Sequence, residues 1–214
     1  MVKPVKRRTN VIVLCATKGG VGKTTLASAL AVRAAEESKR VALIDLDSQP
    51  SLSGWWDRRG QPQNPKLFDG VDSTSEAIEL LVSQKWEWIF IDTPPGSIIR
   101  IDPAVASADF VLVPVQASAL DVEAVAPVME LCRARRKPFA IVINRAQPQW
   151  KLTKTTIAYL RSLGCTVFDQ LIGNRMSYAA AMTVGKSGPE IEKDDAARVE
   201  IDALWASLKS ELKG

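Results

Sequence analysis

The segment Thr17-Lys18-Gly19-Gly20-Val21-Gly22-Lys23-Thr24-Thr25 constrains this chain more than any other part of it. It follows Val11-Ile12-Val13-Leu14-Cys15-Ala16, an apolar run that predicts a buried strand, and it leads into residues 23–37, which predict a helix. A glycine-rich loop between strand and helix is a cradle for phosphate. Small residues let backbone N–H groups close around anionic oxygens, and the helix N-terminus adds a partial positive charge. Gly19, Gly20, Val21, Gly22, Lys23, Thr24 and Thr25 form that cradle. Lys23 is placed to reach the β- and γ-phosphates, and the Thr24 hydroxyl to bind Mg²⁺.

A metal on a phosphate calls for carboxylates, and two further strands end in them. Val41-Ala42-Leu43-Ile44 runs into Asp45-Leu46-Asp47-Ser48-Gln49, and Trp88-Ile89-Phe90-Ile91 runs into Asp92-Thr93-Pro94-Pro95-Gly96. In an open parallel sheet, ligands bind beyond the carboxyl ends of the strands, so Asp45, Asp47 and Asp92 are expected near the glycine loop. Phosphoryl transfer is catalysed by positioning and charge neutralisation, and a carboxylate there can orient water for in-line attack.

The remaining chain supports one α/β domain spanning 1–214, with a basic tail at 1–9 and a docking helix at 196–212. Strands are predicted at 11–16, 41–44, 88–91, Phe110–Val115 and Phe139–Ile143, with 166–172 as a sixth candidate. Helices are predicted at 23–37, 75–83, 120–135 and 152–163. Near-continuous Val/Ile/Leu strands imply burial on both faces, hence a mostly parallel, twisted sheet flanked by helices on either side. Residues 48–71, rich in Gly, Pro, Gln and Asn, read as a long irregular loop, and such loops are often functional. Trp55 and Trp56 within it suit either the core or a dimer or partner surface. In the C-terminal helix, Val199, Ile201, Leu204, Trp205, Leu208 and Leu212 supply the apolar positions, and the polar positions mix both signs. A membrane-surface helix favours Lys and Arg on its polar face, so docking on the core is expected, with no membrane partner.

Composition narrows the chemistry. The chain has no histidine, and Cys15, Cys132 and Cys165 are far apart with no metal-ligand spacing. That excludes His-based catalysis and argues against zinc or iron–sulfur centres. Unpaired cysteines suit a reducing, cytoplasmic setting. A net charge of +4 permits nucleic-acid binding without demonstrating it. Basic residues cluster at Lys3, Lys6, Arg7 and Arg8 and again at Arg133, Arg135, Arg136 and Lys137, which suits DNA contact and ordinary solvation equally.

The loop departs from the general P-loop form, with Thr17 where its first glycine stands and a second lysine at Lys18. In this it resembles the deviant Walker A loop of the ParA/MinD family of P-loop ATPases. Asp45-Leu46-Asp47-Ser48-Gln49 is similar to that family's Asp-x-Asp-Pro-Gln motif, with Ser48 replacing proline, and Asp92-Thr93-Pro94-Pro95 to its Walker B segment. The resemblance runs from about residue 11 to 188, and among the branches it is nearest to the small ParA proteins of plasmid partition, of ParF type. With ten residues ahead of the first strand, no N-terminal helix-turn-helix domain is expected.

Roles follow from the resemblance. It implies that Lys18 reaches across a homodimer to the partner's ATP and that Asp47 positions the attacking water. Asp45 and Asp92 organise Mg²⁺, mainly through its waters, and Asn144, after a late strand, contacts adenine. Gly173-Asn174-Arg175-Met176-Ser177-Tyr178 resembles a further family segment near the base or the dimer rim, with no role assigned by residue. The implied function is a nucleoid-associated partition ATPase of weak intrinsic turnover. Its ATP-bound dimer holds nonspecific DNA until a ParB-like partner stimulates hydrolysis. Lys151, Lys154, Arg161, Arg175 and Lys186 are candidates for the DNA surface. The alternative is a related ATPase that positions a protein cargo or serves conjugation. An iron–sulfur carrier of this fold would need paired cysteines, and a related tyrosine kinase a tyrosine cluster where this chain has only Tyr159 and Tyr178. A scaffold with a vestigial loop fits poorly with Lys18, Lys23, Thr24, Asp45, Asp47 and Asp92 all present.

Overall fold

Six strands pair in the order β3-β2-β4-β1-β5-β6, every pairing parallel. The computed structural model describes residues 9–49, 51–147, 149–191 and 195–213. The basic cluster Lys3, Lys6, Arg7 and Arg8 lies outside them. In chain order the elements are β1 (Asn10–Leu14), α1 (Lys23–Ala35), β2 (Val41–Asp45), α2 (Ser51–Arg58), β3 (Lys66–Phe68) and α3 (Thr74–Ser83). Next come β4 (Trp88–Asp92), α4 (Ile98–Ser107), β5 (Phe110–Val115), α5 (Ala119–Glu123), α6 (Ala126–Ala134) and β6 (Phe139–Ile143). The chain ends with α7 (Lys151–Ser162), α8 (Met176–Thr183), a 3-10 turn (Gly188–Glu190) and α9 (Asp195–Glu211). The strand order reverses at β1, so the loop after β1 lies at the switch point where open parallel sheets bind ligands.

Alternation along the strands divides the core into two layers. Ile12, Leu14, Trp88 and Phe90 face α1, α2 and α9, whereas Val11, Val13, Ile89 and Ile91 face α3, α4, α6 and α7. Helix α9 lies along α1, burying Ile201, Leu204, Trp205 and Leu208, and the Trp205 ring meets Trp88 edge-on at 4.4 Å. Val199, expected on its apolar face, is instead exposed. Ion pairs Arg33–Asp202, Arg198–Glu36 and Lys209–Glu37 line the seam, so the charges of α9 that are polar in sequence are used in docking.

The structure departs from several expectations and decides between others. Residues 48–71 are not one irregular loop, because they contain α2 and the edge strand β3. Trp55 is fully buried and its Nε1 donates to the Lys186 carbonyl at 2.8 Å, while Trp56 Nε1 donates to the Pro65 carbonyl, so both pack within the chain. Residues 166–172 form no strand. Phe168 N donates to Ile141 O, yet the next bond to β6 is Ile172 N to Ile143 O, so two extra residues bulge out and break the ladder. The helix expected at 120–135 is two helices, α5 and α6, divided before Pro127, which lacks the N–H that would continue the first.

Candidate functional site

The loop after β1 is held in shape from three sides. Gly96 N donates to Thr17 O at 2.7 Å, Gln116 Nε2 donates to Gly20 O at 3.0 Å, and Asn144 Nδ2 donates to Val21 O at 2.7 Å. Gly22 adopts φ +98°, and a Cβ there would stand 2.1 Å from Asn144 Nδ2. Only glycine meets both demands. Gly22 is also the N-cap of α1, which has no side-chain cap and no acidic residue in its first turn. The first N–H groups of α1 are thus open to an anion.

Beneath the loop the strand ends bring the acidic residues together. Thr24 Oγ1 donates to Asp92 Oδ2 at 2.5 Å, and Asp92 is 1% exposed with no partner for Oδ1. Burial pushes the Asp92 carboxyl up to about 7, against the pull of Thr24. Asp45 is also buried and shifted upward by burial; it accepts from Asp47 N at 3.0 Å and, more loosely, from Ser53 Oγ. Asp47 stands further out, its Oδ1 accepting from Gln49 N at 3.0 Å. Burial lowers the Lys23 ammonium, while Asp92 and Asp47 oppose that shift. A phosphate chain would supply the negative charge that this buried lysine lacks.

Among the described residues, no group of three His, Cys, Asp or Glu is arranged to cage a metal directly. The orphaned Asp92 Oδ1 beside the Thr24 hydroxyl nevertheless fits a hydrated Mg²⁺ that takes most of its other ligands from phosphate and water. The thiol of Cys15, below the loop, is pushed up to about 12 by burial, in keeping with a core residue.

The two lysines of the loop diverge. Lys23 is buried, its Nζ turned toward Lys18 O at 3.5 Å, whereas Lys18 is partly exposed and pairs with Asp121 of its own chain at 2.9 Å. The Ser118 hydroxyl bonds the same carboxylate. Sequence reading missed Gln116, Ser118 and Asp121; Ser118-x-x-Asp121, a capping pattern at the start of α5, was the available signal.

Beside the loop opens a cavity of about 250 Å³, lined by Gly22, Thr25 and Leu26, by Asn144 and Arg145, and by residues 172–176, Tyr178 and Ala179. Asn144 is therefore in the groove, with one of its two amide N–H groups given to the loop. Of the DNA candidates, Lys151 and Lys154 are exposed on α7, and Lys186 is exposed beyond α8. Arg161 pairs with Asp169 at 2.7 Å, and Arg175 with Glu200 at 2.7 Å. The five do not gather into one patch with the groove: Arg175 belongs to the cavity wall, and only Lys151, Lys154 and Arg161 share a helix.

A parallel sheet, a glycine loop at its switch point and carboxylates at the adjoining strand ends define a P-loop nucleotide-binding protein. The family model of the CobQ/CobB/MinD/ParA nucleotide-binding domain matches residues 12–187, and the chain belongs to this family. It is thereby a ParA/MinD-type ATPase in class. The chain is 30% identical to the chromosome-partitioning ATPase Soj of Thermus thermophilus over 213 residues, covering 82% of this chain and 86% of that one. It is 29% identical to the maintenance of carboxysome distribution protein A of Halothiobacillus neapolitanus over 180 residues, covering 79% and 82%. Its fold matches the MinD cell division protein of Aquifex aeolicus with a TM-score of 0.76 at 21% identity, covering 94% and 97%. An ATP complex of a McdA variant from Cyanothece matches with the same score at 19% identity and the same coverage. No helix among the described residues is long and apolar enough to cross a membrane.

Proposed function

We propose that this chain is a ParA-type ATPase that hydrolyses ATP to ADP and phosphate, works as a nucleotide-dependent homodimer on nonspecific DNA, and serves DNA partition. The observation that carries this reading is the divergence of Lys18 from Lys23. Lys23 turns inward within its own loop, while Lys18 turns away from it, partly exposed and paired with Asp121 of its own chain, a contact it would exchange for a second subunit's nucleotide on closure. The backbone N–H groups of 19–25 and Lys23 would hold the phosphates, and Thr24, Asp45 and Asp92 would hold Mg²⁺, mainly through its waters. When bound, the metal neutralises charge on the β- and γ-phosphate oxygens. Asp47 orients the water for in-line attack at the γ-phosphorus, and ADP leaves. Asn144 faces the base. The domain acts as one unit over 1–214.

Closure of two subunits differs between ATP and ADP because only the γ-phosphate completes the contacts of Lys18, and this difference drives the switch. DNA binding in the ATP state uses phosphate contacts and is lost with salt. A ParB-like partner releases the dimer by stimulating hydrolysis. The setting is cytoplasmic, with the protein on the nucleoid. The match to a carboxysome-distribution protein favours a second reading, in which the same cycle positions a protein cargo.

The test is binding to a nonspecific duplex with ATP, with ADP and without nucleotide, across a salt series. Binding with ATP alone, falling steeply with salt, is the expected result. Binding that ignores the nucleotide removes the switch. Lys18→Ala is expected to bind ATP and yet remain a monomer in sedimentation; an ATP-dependent dimer in that variant refutes the cross-subunit lysine.

A further inference from the structure

The outer wall of the cavity is carried by one carboxylate of the last helix. Glu200 of α9 accepts through Oε1 from Arg175 Nε at 3.0 Å and Nη2 at 2.7 Å, and through Oε2 from the Tyr178 hydroxyl at 2.9 Å. Its side chain is 13% exposed, so these charge-assisted bonds lie mostly out of water. Arg175 and Tyr178 both line the cavity. The backbone is shaped around the arrangement. A Cβ on Gly173 would sit 3.0 Å from Glu200 Oε1, and one on Gly188 would sit 2.5 Å from the Tyr178 ring.

The opposite wall begins α1, and α1 is packed on the same α9 through Leu204, Trp205 and Leu208 and through the Arg33–Asp202 pair. One helix therefore references both walls of the groove. We propose that Glu200 is a positioning residue for nucleotide binding: it holds the Arg175–Tyr178 wall at the separation from α1 that admits the base, while the phosphates depend on the loop alone. This rests on the nucleotide reading of the groove given above. It assigns α9 a role beyond closing the core, because a shift of α9 along α1 would move the base wall with it.

The experiment compares the affinity of the full chain for ATP and for inorganic tripolyphosphate, each with Mg²⁺, by calorimetry. Glu200→Gln keeps the shape but replaces one acceptor with a donor facing Arg175 or Tyr178. It is expected to weaken ATP about tenfold and leave tripolyphosphate unchanged. Tyr178→Phe removes a single hydroxyl and keeps the ring, so it reports even if Glu200→Gln folds poorly; a loss of about threefold, again for ATP only, is expected. Equal ATP affinity in both variants overturns the proposal, as does an equal loss on both ligands, which marks a general loss of structure. A parent chain that binds no ATP overturns the nucleotide reading itself. A parent that binds ATP beside an indifferent Glu200→Gln overturns the role of Glu200 alone.

Discussion

At the phosphate end of the groove one unbroken segment, 17–25, supplies the backbone, the lysine and the hydroxyl, and the strand ends add Asp45 and Asp92. At the end proposed for the base, Asn144 and Arg145 follow β6, the 173–179 segment comes from a loop and the start of α8, and Glu200 from the last helix. The phosphate end depends on local conformation: a left-handed Gly22, an uncapped helix start, an anion-seeking lysine. The base end depends on packing between elements remote in sequence.

The comparison can be broken at either end. Lys23→Ala has the largest expected effect, a loss of ATP affinity of roughly a thousandfold, since charge-assisted bonds to two phosphates disappear. Calorimetry checks it, and affinity equal to the parent's would end the assignment of the loop. Trp205→Ala attacks the other end. It leaves a hole between α9, α1 and β4 and is expected to cost about 3–5 kcal/mol of stability, read by urea denaturation. If the midpoint does not move, α9 is not the brace it is argued to be.

Gly22→Ala tests the local cradle. A methyl group at φ +98° meets Asn144, so a loss of about 1–3 kcal/mol is expected together with weaker nucleotide binding, in the same denaturation and titration assays. The smallest effect concerns pH. Burial lifts the Asp92 carboxyl from 3.8 to about 7, and Asp45 shifts the same way. Between those values the folded chain keeps a proton that the unfolded chain releases, so stability falls as pH rises through this window. Asp92→Asn removes the Asp92 share of that dependence and leaves that of Asp45. Urea midpoints at about pH 5 and about pH 8, without nucleotide or Mg²⁺, are expected to lie closer together in the variant than in the parent.

Legibility followed the same division. Strands β1, β2, β4, β5 and β6 were readable because each is a short apolar run ending in a polar signal, and the loop and its aspartates were readable because they are contiguous with those runs. Strand β3 was not, since Lys66–Phe68 is too short to show a period and takes its state from pairing with β2. Helix α4 was hidden by Pro103, tolerated there because the Ile99 carbonyl it leaves without an intrahelical donor is on an exposed residue. Asp121 and Gln116 carry no signal alone; each matters through a partner about a hundred residues earlier, Lys18 and Gly20.

Sequence alone determined the strand, glycine loop and helix start proposed as a phosphate cradle, because their physics is that of neighbouring residues: glycine's access to positive φ, a helix dipole, a lysine and a hydroxyl at fixed spacing. It also determined that carboxylates end two neighbouring strands. Only the tertiary structure decided that Lys18 turns away to Asp121, that Asn144 gives an amide N–H to Val21, and that Glu200 bonds Arg175 and Tyr178. Those choices depend on which elements the sheet order and the seam between α1 and α9 bring within hydrogen-bond reach. Such distances are set by packing across the whole domain and not by spacing along the chain.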